Sequence, residues 1–131
     1  MFAGTFFFLA LLDRRDRDHE RVAAFAAEYR GLVLTTRWVL AETANALSAS
    51  PVRERAAALL QTIEQQPNFR VAGETDRIYE RGVAIYAGRS DKAWSLTDCT
   101  SFAVMEENGL HEALTGDRHF AQAGFVALFA E

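Results

Sequence analysis

The fold of this chain is decided by the stretch Trp94-Ser95-Leu96-Thr97-Asp98-Cys99-Thr100-Ser101-Phe102-Ala103-Val104-Met105-Glu106. Ser95 is followed three residues later by Asp98, which is the acidic form of the capping box that starts a helix. Phe102 and Met105 then keep the spacing of one buried helical face. The stretch therefore predicts a helix with a carboxylate at its N-terminal end, and capping is the simplest role of that carboxylate.

Length and charge limit the classes of protein to consider. The chain has 131 residues, which suits a single domain over 1–131 that buries a sizeable core. Ten of these residues are Phe, so we expect an aromatic-rich core. The formal net charge of −4 provides no overall attraction to nucleic acid. Any contact with RNA must therefore come from a local patch or from a metal ion between the acids and the phosphates.

Two features favour a cytoplasmic protein without a membrane anchor. Cys99 is the single cysteine, so no disulfide forms within the chain, and we expect it to be a small core residue. The apolar run over 1–12 has no basic segment before it and is too short to span a bilayer. We interpret this run as a buried strand that leads into a helix.

Apolar strands alternate with helical stretches along the whole chain. Strands are predicted over 2–4, 32–35, 69–72, 112–115 and 124–129. Helices are predicted over 6–12, 20–29, 37–49, 51–66, 74–88, 95–108 and 118–123. This order indicates parallel βα units, because parallel strands need a crossover helix between them. The predicted fold class is α/β, a three-layer α/β/α sandwich around a central parallel sheet of about five strands.

Local signals set the expected ends and faces of these helices. Helix starts are indicated at Thr5, at Thr36 and at Ser50, where Ser50 is followed by a proline. In the helix over 74–88, the candidate buried positions are Ile78, Val83, Ile85 and Tyr86.

Three acids are predicted to meet at the carboxyl edge of the sheet. Asp117 directly follows a strand, Asp98 lies in the first turn of the preceding helix, and Glu42 lies on the helix after the second strand. Carboxylates that are brought together repel each other unless they bind a hard divalent cation through oxygen. The set therefore predicts a site for Mg²⁺ or Mn²⁺ that activates water in phosphodiester cleavage.

Other polar residues near these acids are candidates for supporting roles. Thr5, Thr97 and Asn45 are placed to orient the acids from a second layer. Arg118 and Arg37 lie close in sequence to the acidic edge and are candidates for contact with RNA phosphates. The alternative is that both are ordinary surface arginines with no role in binding.

The acids lie within blocks that resemble a known family. Ser95-Leu96-Thr97-Asp98-Cys99 is followed by Thr115-Gly116-Asp117-Arg118-His119-Phe120, and Glu42 lies within Arg37-Trp38-Val39-Leu40-Ala41-Glu42-Thr43-Ala44-Asn45. Together these blocks resemble the PIN domain, and especially the VapC-type ribonucleases of bacterial toxin–antitoxin pairs. The resemblance covers essentially the whole chain.

The resemblance implies a fold, an activity and partners. The fold is a parallel sheet between helices, and the activity is endonucleolytic cleavage of RNA with Mg²⁺ or Mn²⁺. The implied partners are an RNA substrate, a cognate antitoxin protein and a second copy of the chain in a homodimer.

One position departs from the pattern of that family. The family opens with a strand that ends in a metal-binding Asp, and here Gly4 stands in that place, with Phe6 replacing a small polar residue. The chain is then a degenerate homologue, carries an inactivating change, or uses a substitute acid such as Asp91 or Asp13. The alternative function is a catalytically impaired PIN module that still binds an antitoxin or RNA.

Other kinds of chemistry have little support in the sequence. Ser95 and Ser101 lack the G-x-S-x-G motif of a nucleophilic serine. The three histidines have no zinc-ligand spacing with Cys99, and we expect His119 to pack or cap near the last short helix rather than to bind metal. No glycine-rich phosphate-binding loop is present. A receiver-type or phosphatase-type α/β domain needs an Asp at the end of an early strand, where this chain has Gly4 and Thr35.

Overall fold

A computed structural model describes all 131 residues of the chain. The strands are β1 (Phe2–Ala3), β2 (Val33–Thr35), β3 (Phe69–Val71), β4 (Glu112–Leu114) and β5 (Val126–Ala127). The helices are α1 (Thr5–Leu12), α2 (His19–Glu28), α3 (Arg37–Ala46), α4 (Arg53–Thr62), α5 (Thr75–Gly88), α6 (Leu96–Glu107) and α7 (Arg118–Gln122). A short 3₁₀ helix, Ile63–Gln65, follows α4. All five predicted strands and seven predicted helices are confirmed, most with ends shifted by one to three residues.

The five strands form one parallel sheet in the order β3-β2-β1-β4-β5. The central strand β1 pairs with β2 through Phe2 and Leu34, and with β4 through Ala3 and Leu114. Both residues of β1 are fully buried, and so are Ala113 and Leu114 of β4, as expected for central strands of a parallel sheet that helices cover. Glu112, the first residue of β4, is exposed. The predicted sandwich with a parallel sheet of about five strands is confirmed.

The core is aromatic, as the ten Phe residues of the sequence predict. Six of them are buried: Phe2, Phe7, Phe8, Phe102, Phe120 and Phe129. Phe102 of α6 packs edge-on against Phe120 of α7, with ring centroids 5.1 Å apart, and Phe120 also contacts Phe2 of β1. These contacts attach the short helix α7 to the centre of the sheet, because each aromatic ring buries a large apolar area.

Two of the predicted helix starts are wrong and two are confirmed. Thr36 caps α3 by accepting a hydrogen bond from the Val39 N–H, and Ser95 caps α6. Thr5 is already inside α1, whose N-cap is Gly4. The helix predicted after Ser50 begins only at Arg53, because the Ser50 hydroxyl accepts a hydrogen bond from the Val52 N–H and closes a turn instead.

The predicted buried face of α5 is partly wrong. Ile78 is buried as expected, but Val83 is 39% exposed and Tyr86 is 56% exposed. Gly82 is buried instead, and a Cβ built on it would lie 2.6 Å from the Thr100 side chain, so α5 and α6 approach each other closely at this glycine. Ile85, the fourth predicted position, is partly buried and packs against the core. The face of α5 that meets the core therefore contains Ile78, Gly82 and Ile85, whereas Val83 and Tyr86 lie outside it.

The helices are all too short or too polar to cross a lipid bilayer.

Candidate metal and active site

The site lies where the order of the strands reverses. From β1 the chain continues to β2 on one side, while β4 is the neighbour of β1 on the other side. Open α/β sheets bind ligands outside the carboxyl ends of their strands at such a switch point. Gly4 directly follows β1, and Asp117 lies three residues beyond the end of β4. The pairing of Ala3 with Leu114 brings these two chain segments side by side.

A small cleft at this edge contains the three predicted acids. Its volume is about 40 Å³, which is room for a cation with a water molecule. The cleft is lined by eleven residues of four helices and two strand ends: Gly4, Thr5, Phe6, Val39, Glu42, Thr97, Asp98, Ser101, Thr115, Asp117 and Phe120. The sequence-predicted set Glu42, Asp98 and Asp117 is therefore brought together in one place.

Asp98 is both a helix cap and part of the cleft wall. Its backbone N–H donates to Ser95 Oγ at 3.0 Å, and the Ser95 N–H donates to Asp98 Oδ2 at 3.0 Å. These two bonds form the complete capping box that the sequence predicts. They hold the Asp98 carboxylate at the N-terminal end of α6, where the helix dipole favours a negative charge.

Asp117 occupies a similar position at the start of α7. Its Oδ1 atom accepts a hydrogen bond from the His119 N–H at 2.9 Å and caps the helix. Its own N–H donates to Thr115 Oγ1 at 3.0 Å. The first bond restricts the Asp117 side chain and the second restricts its backbone. A carboxylate oxygen of Asp117 lies within 4.8 Å of a carboxylate oxygen of Asp98.

Glu42 reaches the cleft from α3 and is held by Thr5. The Thr5 hydroxyl donates to Glu42 Oε1 at 2.6 Å. This bond is the role of the Thr5 side chain in the structure, in place of the helix cap that the sequence suggested. Glu42 is exposed on α3, lines the cleft, and is not part of the group of donor atoms that Asp98, Asp117 and His119 form.

The other predicted supporting residues differ in where they lie. Thr97 lines the cleft, and its carbonyl oxygen accepts hydrogen bonds from the hydroxyls of Thr100 and Ser101. Asn45 is exposed on α3 and does not line the cleft, because one further turn of the helix carries it beyond the edge of the site.

The two predicted RNA-contacting arginines also separate. Arg37 lies at the start of α3 and forms an ion pair with Glu64, with 3.5 Å between its Nη2 atom and the Glu64 carboxylate. Arg118 is exposed at the start of α7, next to Asp117 in the chain, and has no acidic partner. Arg118 is therefore the better placed of the two to meet a phosphate at the cleft.

The proposed substitute acids do not reach the site. Asp91 pairs with Arg89 in the loop before α6, and hydrogen bonds from Arg89 lower the pKa of Asp91. Asp13 pairs with Arg15 after α1, and hydrogen bonds from Arg15 lower the pKa of Asp13. Neither acid lines the cleft, so neither lies where it could take the place of the missing acid.

The sequence did not predict which groups the His119 ring contacts. Its Nδ1 atom lies 2.8 Å from Asp98 Oδ2 and 3.6 Å from Asp117 Oδ1. One ligand atom from each of Asp98, Asp117 and His119 lies within 4.8 Å of the others. The signal in the sequence was the position of His119 two residues after Asp117, at the start of a helix. Only the packing of α7 against α6 shows that its ring meets Asp98.

Gly4 leaves one side of the cleft without a polar side chain. A Cβ built on Gly4 would lie 3.6 Å from the Phe120 ring and 3.9 Å from Thr115 Cβ, both ordinary contact distances. Gly4 is extended, with φ −92° and ψ −179°, so its backbone suits any residue. No steric or conformational requirement therefore explains a glycine at this position.

Cys99 lies next to Asp98 but is turned into the core, as predicted. Burial raises the pKa of its thiol, and the negative charge of Asp98 raises it further. A thiol in this environment is protonated at neutral pH, so Cys99 is not a nucleophile at the site.

Comparison with known proteins places this geometry in a family. The model of the PIN domain matches residues 2–126. The 23S rRNA-specific endonuclease VapC20 of Mycobacterium tuberculosis, from strain H37Rv and from strain CDC 1551 / Oshkosh, is 30% identical over 131 residues. The match covers 100% of this chain and 99% of the relative in both strains.

A solved structure agrees with this relationship. The crystal structure of Mycobacterium tuberculosis VapC20, described as a sarcin–ricin loop cleaving toxin, superposes with a TM-score of 0.87 at 31% sequence identity. The superposition covers 97% of each chain. The family model matches most of the chain, and the relative matches it over its full length in sequence and in structure, so the chain belongs to the PIN-domain family, among its VapC-type toxin ribonucleases.

Proposed function

We propose that this chain, as a single domain over 1–131, is an endoribonuclease in which Asp98, Asp117 and Glu42 carry the reaction. The observation that supports this most is that all three carboxylates line one cleft at the switch point of the sheet. Such a cleft has no nucleophilic serine or thiolate, which fits hydrolysis by water.

The donor set fits a divalent cation in part. Asp98 and Asp117 offer carboxylate oxygens close to each other, which Mg²⁺ and Mn²⁺ prefer, and the cleft has room for an ion. Gly4 contributes no ligand, and Glu42 is engaged by Thr5. We propose Asp98 and Asp117 as the residues that hold Mg²⁺ or Mn²⁺, with Glu42 at the side of the cleft. When bound, the cation would supply positive charge that activates water and stabilises the leaving oxygen of the phosphodiester.

The protein residues orient these groups. The capping box holds the Asp98 carboxylate at the helix start, and the Thr115 hydroxyl fixes the backbone at Asp117. The Thr5 hydroxyl fixes Glu42. Arg118, which is exposed and unpaired beside Asp117, is placed to bind a phosphate of the RNA next to the cleft. These contacts would position the RNA backbone without the need for a protein nucleophile.

The substrate that we propose first is a structured ribosomal RNA loop. The relative VapC20 is described as 23S rRNA-specific and as cleaving the sarcin–ricin loop, and it matches this chain over its full length. A synthetic RNA of that loop, with a scrambled loop as control, is therefore the substrate to use.

The test is Mn²⁺-dependent cleavage of that RNA by the chain and by Asp98→Asn. We expect cleavage that chelation of the metal stops and that the substitution abolishes. Cleavage that survives both treatments would contradict the proposed site.

A second function is supported by Gly4, which removes one carboxylate from the cleft. In this second function, the chain is a catalytically impaired PIN module that binds an antitoxin or RNA but does not cleave RNA. The Gly4→Asp form separates the two, because an impaired module gains cleavage only when the acid is present. Activity of the unaltered chain would exclude the second function.

Membership of the family supports proposals about partners and location. We propose a cognate antitoxin protein as partner, a cytoplasmic location and a homodimer. The homodimer is supported by an exposed apolar stripe on α5, formed by Tyr79, Val83 and Tyr86 at the spacing of one helical face. Light scattering after size exclusion would give the mass of a dimer for the chain and the mass of a monomer for Tyr86→Asp.

A further inference from the structure

The position of His119 is better defined than its place in a five-residue helix suggests. Phe120, the next residue, is buried and contacts Phe2 and Phe102 in the core. The His119 N–H donates to Asp117 Oδ1, so the backbone at this point is fixed from both sides. The anchored helix α7 therefore holds the imidazole ring beside Asp98 of α6, with its Nδ1 atom 2.8 Å from Asp98 Oδ2.

The spacing of the donor atoms is that of ligands around one ion. Adjacent ligands with bonds of about 2.1 Å to a divalent ion lie about 3 Å apart. Nδ1 of His119 lies 2.8 Å from Asp98 Oδ2 and 3.6 Å from Asp117 Oδ1. One distance is slightly shorter and the other slightly longer than the separation expected for ligands of one ion. A neutral imidazole can carry its proton on Nε2 and leave Nδ1 free as a ligand.

No further carboxylate or imidazole joins this group of donor atoms. Gly4 has no side chain, and Glu42 lies outside the group of donor atoms formed by Asp98, Asp117 and His119. Two carboxylates and one imidazole are thus the donors that converge. Imidazole nitrogen favours transition ions, whereas Mg²⁺ is bound best by oxygen alone.

On this basis, and given the proposed function, we infer that His119 is a metal ligand in this chain and makes the site a mixed carboxylate–imidazole centre. The centre selects a divalent transition ion such as Mn²⁺ or Co²⁺ over Mg²⁺. The imidazole compensates for the ligand that is missing at Gly4, which is a property of this chain and not of an all-carboxylate site.

The first experiment measures metal affinity without RNA. Titration calorimetry with Co²⁺ alone and with Mg²⁺ alone would be done on the chain, on His119→Ala and on His119→Asn. We expect both substitutions to weaken Co²⁺ binding by about 10–100-fold and Mg²⁺ binding by less than about threefold. The control is His111→Ala, since His111 is exposed and lies outside the cleft. Equal loss for both ions, or no loss for either, would overturn the inference.

The asparagine variant separates a ligand from a residue that only positions Asp98. The Asn amide can still donate a hydrogen bond to Asp98, so a positioning role would be retained in His119→Asn, whereas the imidazole ligand would be lost. Circular dichroism melts without metal would show that the variants are folded. Co²⁺ affinity of the Asn variant equal to that of the unaltered chain would therefore overturn ligation.

The second experiment detects the nitrogen directly. Pulsed electron paramagnetic resonance of the Mn²⁺-loaded chain should show coupling to an imidazole ¹⁴N, which His119→Ala and His119→Asn should lose and His111→Ala should keep. Absence of that coupling from the unaltered chain would overturn the inference.

Neither experiment depends on RNA cleavage. A chain that shows the nitrogen but cleaves no RNA supports the ligand and contradicts the nuclease, and a chain that cleaves without nitrogen coupling contradicts the ligand alone.

Discussion

The starts of helices α6 and α1 both face the cleft, but they are built differently. At α6, Ser95 and Asp98 form a complete capping box, and the Asp98 carboxylate also lines the site. At α1, the N-cap is Gly4, which makes no side-chain cap, and the first helical residue, Thr5, turns its hydroxyl to Glu42. The comparison teaches that one carboxylate can both start a helix and line a cleft. At α1, Gly4 has no side chain, so it neither caps the helix with a side chain nor adds a carboxylate to the cleft.

The largest effect is expected from removing the charge at the start of α6. Asp98→Asn keeps an oxygen that can accept the Ser95 N–H, but it removes the negative charge from the cleft. RNA cleavage should fall about a hundredfold or more, which corresponds to about 3 kcal/mol of lost transition-state stabilisation. Single-turnover cleavage rates with saturating Mn²⁺ would measure this.

The matched control at the same helix is Ser95→Ala, which removes the cap acceptor and leaves the carboxylate. It should cost about 1 kcal/mol of unfolding free energy and change the cleavage rate by less than about threefold. An activity loss as large as that of Asp98→Asn would mean that the cap, and not the charge, limits the reaction.

The next effect tests the start of α1. Gly4→Asp introduces a carboxylate that fits sterically, because its Cβ meets only ordinary contacts. We expect Mn²⁺-dependent cleavage to rise about tenfold, since one more charged ligand lowers the barrier by about 1.4 kcal/mol. The melting temperature should fall without metal, because a third carboxylate is buried near two others, and should recover with Mn²⁺. Gly4→Asn is the control, and an equal gain from Asn would show that charge is not the cause.

A smaller effect is expected at the contact between α1 and α3. Thr5→Val removes the hydroxyl that donates to Glu42 and keeps the shape of the side chain. We expect about 1 kcal/mol of lost stability at most, since the contact is partly exposed, and a decrease in cleavage of up to about tenfold. Thr5→Ser retains the hydroxyl and should restore activity. If Thr5→Val cleaves at the original rate, Glu42 does not need to be held.

The smallest effect concerns Cys99, which follows Asp98 on α6 and is buried in the core. Because burial raises the pKa of this thiol, native Cys99 should react with a thiol reagent at least about a hundredfold more slowly than Cys99 in the unfolded chain. Cys99→Ala should keep nearly full cleavage activity. Rapid labelling of the native chain, followed over time by absorbance, would show that this face of α6 opens.

Local signals in the sequence were sufficient for the elements that depend on neighbouring residues. The capping box of α6, the cap of α3 at Thr36 and the five apolar strands each follow from residues within a few positions of one another. The convergence of Glu42, Asp98 and Asp117 also followed, because parallel strands place their carboxyl ends at one edge. Their chemical roles stay predictions until the variants above are measured.

The same local signals were insufficient for side chains whose contacts are with elements far away in the sequence. Thr5 was expected to cap α1, but Glu42 on α3 offers a stronger, charged acceptor, and no local pattern reveals it. Val83 and Tyr86 were expected to be buried, but the close approach of α5 to α6 at Gly82 turns them to the surface. His119 was expected to pack near its own helix, and it meets Asp98 of another helix instead.

By itself, the sequence determined that this chain is a parallel α/β protein with acids at the carboxyl edge of its sheet. That much follows from hydrophobic period, helix caps and the residues that follow each strand, all of which are short-range properties. Only the tertiary structure decided which groups touch Asp98 and Glu42, namely His119 and Thr5. The reason is that a hydrogen bond between distant residues depends on how helices pack on the sheet, and packing is set by the whole core at once.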